Sequence, residues 1–346
     1  MKAKNSLVLL TGLLVCANVF SRTAASTRPG DGGPALKAEI CDPTAIAISR
    51  GSLFVAEGCF DTAAIRRIDL KTGVISTLTA VPSGTYVTAL AADRDGNLIA
   101  TVLENRIIRI NTTNGSVEVV AGTGDYGFLG EGDLATKAVF NEPDGVAFDH
   151  AGNIFVADSA NSRVRRIDRR TGIITTVAGS GKRGISGDGG SALEAGLENP
   201  SSIALDGAGN LYIGQNTNDE KLDRIRKVDA KSGLISTYST TDLPPEAMIF
   251  DERGDLIFVE LNRIKRISRA TGVSETIAGS VEGFSGDGGP AVKARLGNPS
   301  ALALDESGNL YIADYVSHRI RRIRAKDGVI ETFAGNGGPD HVHILM

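Results

Sequence analysis

An all-β propeller of six blades is the fold this sequence predicts, on three observations. One line of sequence returns six times, each copy carries four short β-rich runs, and no long segment shows a helical apolar period. Residues 199–213, NPSSIALDGAGNLYI, return almost letter for letter as residues 298–312, NPSALALDESGNLYI, and weaker copies start at Pro43, near Tyr86, at Pro143 and at Pro245. In the fourth unit an apolar run (Ile203 to Leu205) meets an Asp-x-x-Gly-Asn turn and a second apolar run (Leu211 to Ile213). A basic run from Arg224, a Ser-Gly turn and a fourth run from Leu234 complete it. Short runs rich in Val, Ile, Tyr and Thr between Gly, Asp and Asn read as strands joined by hairpins, and four in a meander make a blade. The blades are expected at about 41–80, 84–121, 141–179, 198–240, 243–279 and 297–335. Consecutive apolar positions such as Ile154, Phe155 and Val156 predict inner strands buried on both faces.

The spacing of the copies adds a second level of order. Pro43 to Pro200 is 157 positions and Pro143 to Pro299 is 156, so blades 1–3 read as duplicated in blades 4–6, with a pseudo-twofold axis down the channel. The chain near its end, Gly335-Asn336-Gly337-Gly338, matches the first half of an inter-blade link, and Asp31-Gly32-Gly33-Pro34 matches the second half. The two ends should meet and close the ring without a borrowed strand.

At 346 residues two domains would be possible, but the repeats run without a linker, so one domain over residues 26–346 is expected. Residues 1–25 have a basic start, an apolar stretch from Leu7 to Phe20 and small residues before Ala25, the pattern of a secretory signal peptide. Cleavage would remove three cations and no anions, taking the formal charge from −4 to −7. A mildly acidic exported protein with its basic residues spread around a ring is a poor nucleic-acid binder. No stable transmembrane segment is expected after cleavage, and the location expected is secreted, periplasmic or cell-surface, as a monomer. Hairpin positions that pair have a constant sum, so the turn at Arg50-Gly51 sets Cys41 nearly opposite Cys59, and oxidising surroundings predict a disulfide between them.

Residues 317–322 (SHRIRR), 161–166 (NSRVRR) and 105–107 (NRI), with Tyr311-Ile312-Ala313-Asp314, resemble the signature of NHL repeats over roughly residues 31–340. GFSGDGGPA at 283–291 and GISGDGGSA at 184–192 are similar to inserts of extracellular NHL arrays, the teneurin type among them. The resemblance implies a binding platform first, for a protein, peptide or glycan on the insert-bearing face, and an enzyme second. Related six-bladed folds include metal-dependent lyases and lactonases. A zinc lyase would need several histidines, and the chain has His150, His318, His341 and His343.

Two sets of residues stand out as candidate sites. Insert acids Asp31, Asp133, Asp188 and Asp287 are expected to crowd the face around the channel mouth, and Asp133, Asp188 and Asp287, with Asp158, Gln215, Asp314 and Tyr315, are the candidate ligand-binding residues. A circle at the ends of the second strands, Glu57, Asp158, Glu260 and Asp314, could hold Ca²⁺ on the enzyme reading; otherwise no cofactor is expected. The competing expectation is that each acid pairs with the arginine five positions on, Arg163 after Asp158 and Arg319 after Asp314, and that the insert acids are turn formers.

Overall fold

The computed structural model describes residues 27–58, 63–81, 86–217 and 223–338. The expected signal peptide, Cys59 and the tail histidines His341 and His343 lie outside the described residues. Among the described residues no helix is long and apolar enough to cross a membrane.

The turn chemistry seen in the sequence makes the hairpins. Asp149 accepts from the amides of Ala151 and Asn153 and from the Asn153 side chain, and Gly152 takes φ +83° to let the chain reverse. Asp206 and Asp305 build the same turn with Asn210 and Asn309. The result is six sheets of four antiparallel strands, each in the order of the chain. Blade 1 runs from strand Pro43–Ser49 to Ile75–Ala80, blade 2 from Val87–Ala92 to Val117–Ala121, and blade 3 from Pro143–Phe148 to Ile174–Ala178. Blade 4 runs from Pro200–Leu205 to Ile235–Thr240, blade 5 from Pro245–Phe250 to Ser274–Ala278, and blade 6 from Pro299–Leu304 to Ile330–Ala334. Five first strands open on proline. The first strand is the inner edge of its sheet, where one ladder amide fewer is tolerated.

Every second strand is buried along its whole length, as expected for a strand covered by neighbouring blades on both faces. The first strands differ from the expectation: Val87–Ala92, Pro143–Phe148 and Pro245–Phe250 mix buried positions with partly open ones, and Glu246 is exposed. Their inner edge lines a central channel, so part of each strand faces a cavity instead of protein. Hydroxyls stitch the inner strands from blade to blade: Thr88 donates to the Pro143 carbonyl at 3.1 Å, Ser159 to Pro200 at 2.6 Å, Ser202 to Pro245, and Ser300 to Pro43 at 2.6 Å.

The ring closes between blades 6 and 1 by the same joint used elsewhere. The Gly335 amide donates to Ala35 O (3.0 Å) and Asn336 to Ala38 O (3.0 Å), as Gly122 does to Ala135 and Thr123 to Ala138. In each long link a short 3-10 turn buries an alanine, another alanine three positions on and an apolar residue after that: Ala35, Ala38 and Ile40 at the closure, Ala291, Ala294 and Leu296 before blade 6. The chain ends thus imitate one ordinary link, and each blade is built from contiguous chain.

Candidate functional site

The buried charge of the ring is organised by the third strand of each blade. Arg66, Arg165, Arg226 and Arg321, of blades 1, 3, 4 and 6, are fully buried at matching register positions, opposite Val55, Val156, Ile213 and Ile312. Each reaches inward to the end of the second strand and outward to an insert. Arg66 meets Glu57 (3.2 Å) and Asp31 (2.9 Å); Arg165 meets Asp158 and Glu131 (3.5 Å each). Arg226 meets Gln215 (3.3 Å) and Asp188 (2.6 Å), and Arg321 meets Asp314 (3.5 Å) and Asp287 (2.6 Å). In blade 5 a Lys265–Glu260 ion pair takes this place, and in blade 2 the apolar pair Ile108 and Val102 does. Burial pushes the Glu57 carboxyl up to about 7, against the pull of Arg66, and Asp158 up to about 6, against hydrogen bonds from Asn141 and Asn161 and the charge of Arg165.

This arrangement corrects the expected pairing. The partner of Asp158 is Arg165, not Arg163, and that of Asp314 is Arg321, not Arg319. Directly opposite across the ladder, Arg163 and Arg319 point to carbonyls instead, Arg163 to Asn161 and Ser180, Arg319 to Ser317 and Asn336. The arginine two residues further along shares the strand face and can lie along it. The four acids Glu57, Asp158, Glu260 and Asp314 each face a cation of their own blade, and among the described residues no three of them form a cluster.

The insert acids are also displaced from where they were expected. They bind the outer strands: Asp31 accepts from Thr77 (2.7 Å), Glu131 from Thr176 (2.8 Å) and Asp287 from Thr332 (2.6 Å). Asp188 is held below the usual carboxylate range against its own burial, with the Arg226 guanidinium 2.6 Å away. The acid that works in the third blade is Glu131, not Asp133. Each working acid sits between two glycines of positive φ, and in this link those are Gly130 and Gly132. Asp133 falls one step outside that loop, exposed, bonded to the Leu134 amide and to Lys137. Phe128 stacks on Arg163 (3.9 Å) and Arg165 (4.7 Å), and Phe284 on Arg319 (3.9 Å) and Arg321 (4.7 Å). Among the described residues no insert residue lines the channel, because the link is held by the third and fourth strands before it turns inward.

What does gather at the channel mouth is one position from each blade, the residue after the first strand's opening: Thr44, Thr88, Asp144, Ser201, Glu246 and Ser300. Above this collar a cavity of about 390 Å³ is also lined by Tyr86, Asn216, Asn298 and Tyr315. Below it a second cavity of about 390 Å³ runs down an apolar shaft, and Thr88, Asp144, Ser201, Glu246 and Ser300 border both. The Tyr86 and Tyr315 hydroxyls lie 3.3 Å apart, and burial with this bond raises the Tyr86 phenol. Among the described residues neither Asp144 nor Glu246 has a side-chain hydrogen bond or ion pair. Burial and then the negative charge of Glu246 push Asp144 up to about 7, and burial raises Glu246. Of the candidate ligand-binding residues only Tyr315 lines the mouth. Asp144 and Glu246 were missed, although acids stand there in a slot that four blades fill with Thr or Ser.

The model described as the teneurin NHL domain matches residues 95–186, and the NHL repeat model matches residues 296–323. Human teneurin-1 is 28% identical over 89% of this chain, and the match spans 13% of teneurin-1. A chain of the nidogen/laminin complex superposes with a TM-score of 0.60 at 18% identity, covering 82% of this chain and 93% of that one. A gluconolactonase from Xanthomonas campestris gives 0.58 at 14% identity, covering 90% and 99%, a likeness of fold alone. Repeat signature, family matches and six four-stranded sheets agree: this chain is an NHL-repeat β-propeller.

Proposed function

We propose that the protein is an exported interaction scaffold that engages a protein, peptide or glycan on the face carrying the inter-blade links. The observation that carries this reading is the channel mouth. It is concave, framed by two tyrosines and two asparagines, and its two carboxylates are unspent, whereas the acids buried at the ends of the second strands serve the fold. Aromatic residues with one polar end suit such a surface. The likeness to teneurin NHL domains supports the same reading.

The test is footprinting. Peptides selected by display against the purified protein should protect residues 86–88, 298–300 and 315 from hydrogen exchange, and Tyr315→Ala should weaken them at least tenfold. Protection confined to the opposite face, or to the blade rims, would sink the choice of surface.

Export and the Cys41–Cys59 disulfide belong to the same proposal. The register Pro43↔Glu57 and the bond from the Gly58 amide to Asp42 O keep the two segments antiparallel up to position 58, which supports the pairing. Peptide mapping of secreted protein without reductant should recover a 41–59 cross-link; a free thiol at Cys41 would remove it.

A further inference from the structure

We infer that the channel mouth is a subsite for an organic cation, one ammonium or guanidinium group on an aliphatic stem, held between Asp144 and Glu246. This deepens the scaffold reading and rests on it, because it names the chemistry by which a partner would seat in the mouth.

Glu57, Asp158, Glu260 and Asp314 are buried and each has a cation beside it. Asp144 is half-buried in the cavity wall, Glu246 opens into the cavity, and neither has a cation beside it among the described residues. The collar's hydroxyls do not compensate it, since Thr88 and Ser300 are spent on the neighbouring blades' carbonyls. Two carboxylates that share a cavity with no cation beside them repel each other, and a cation seated between them relieves that repulsion.

The shape of the site selects the kind of cation. A divalent ion asks for several oxygen ligands at close range. Asp144, Glu246 and the nearby Glu142 do not form a group of three converging ligand atoms; the one such group among the described residues is Cys41, Asp42 and His318. The space is also far larger than a bare ion, and aliphatic side chains form part of the wall beneath the carboxylates, where Ala91, Val146, Ala147, Ala247 and Ile249 are partly open. Carboxylates at the collar and aliphatic surface beside them match a cation carried on a hydrocarbon stem, whether a lysine or arginine side chain or a small amine.

The experiment is calorimetric titration of the purified protein at pH 8 and low salt with n-butylammonium, n-butylguanidinium, n-butanol and calcium chloride. Both butyl cations should bind at least tenfold tighter than n-butanol, and the Asp144→Asn/Glu246→Gln double variant should lose at least tenfold for the cations and little for the alcohol. The two single variants guard against a folding defect and should each lose an intermediate amount. Equal affinity for n-butanol, unchanged affinity in the double variant, or displacement of the cations by calcium at lower concentration would each overturn the inference. A lysine peptide against its norleucine analogue separates a side chain from a free amine. A selected partner whose footprint covers Tyr86 and Tyr315, yet whose affinity is the same for the double variant, would overturn this inference and leave the scaffold reading standing.

Discussion

The carboxylates at the ends of the second strands and those at the channel collar face opposite fates within one ring. Asp314 is buried between the Arg321 guanidinium, the Gly297 amide and Ser317, and Arg321 in turn holds Asp287 from the insert. Asp144, on a first strand and so one strand closer to the axis, has the acids Glu246 and Glu142 as its charged neighbours. Burial raises both acids, so desolvation does not separate them. The partner does: a repeat can supply an arginine to every second-strand acid because donor and acceptor lie in the same unit, whereas the collar draws each of its members from a different blade. Charge that a blade can neutralise by itself is structural, and charge that only the assembled channel brings together is available for a ligand.

The hardest way to break this comparison is to remove a paired cation. Arg321→Ala should cost about 3–5 kcal/mol in urea unfolding, since it strands Asp314 in the core. Arg321→Ile with Asp314→Val, which copies Ile108 and Val102 of blade 2, should recover most of that loss because a buried ion pair and an apolar pair of similar volume are nearly equivalent. A cost below about 1 kcal/mol for Arg321→Ala would show that the paired acids are as dispensable as the collar acids.

An effect of opposite sign is expected at the collar. The folded pKa of Asp144 lies above its unfolded value, so the native state binds the proton more tightly and stability falls as pH rises from about 4 through about 7. Asp144→Asn removes that fall. It should be as stable as the parent near pH 4 and more stable by about 1–2 kcal/mol at pH 8, a figure discounted because water reaches this carboxylate through the cavity. Equal unfolding free energies at both pH values would mean that the collar acid is compensated after all.

The smallest expected effect sharpens the outer end of the paired clusters. Phe284 stacks on Arg319 and Arg321, and the corresponding position before blade 4 is Ile185. Phe284→Leu should therefore cost only about 0.5–1 kcal/mol, the worth of a partly exposed cation–aromatic contact. A larger loss would place the insert's anchorage in the aromatic ring instead of in the Asp287 ion pair.

Much of this was legible before any coordinates. The repeated line at 199 and 298 gave blade number and strand order, and the half links at Asp31 and Gly335 gave the closure, because hairpins, turns and links are written in neighbouring residues. Side-chain destination was less legible. Asp158 could be matched to a basic run but not to the right arginine, since Arg163 and Arg165 differ only in which end of the strand face they occupy. The insert acid could be found by its glycines, yet Asp133 and Glu131 are separable only through the positive φ of Gly130 and Gly132.

The sequence by itself determined a ring of six four-stranded units, doubled from three and joined end to end, since each of these follows from local patterning and its period. Only the tertiary structure decided that Asp144 and Glu246 share one cavity while the insert acids do not. Residues separated by about a hundred positions meet there solely because the ring closes, and no spacing within a repeat records the distance across its axis.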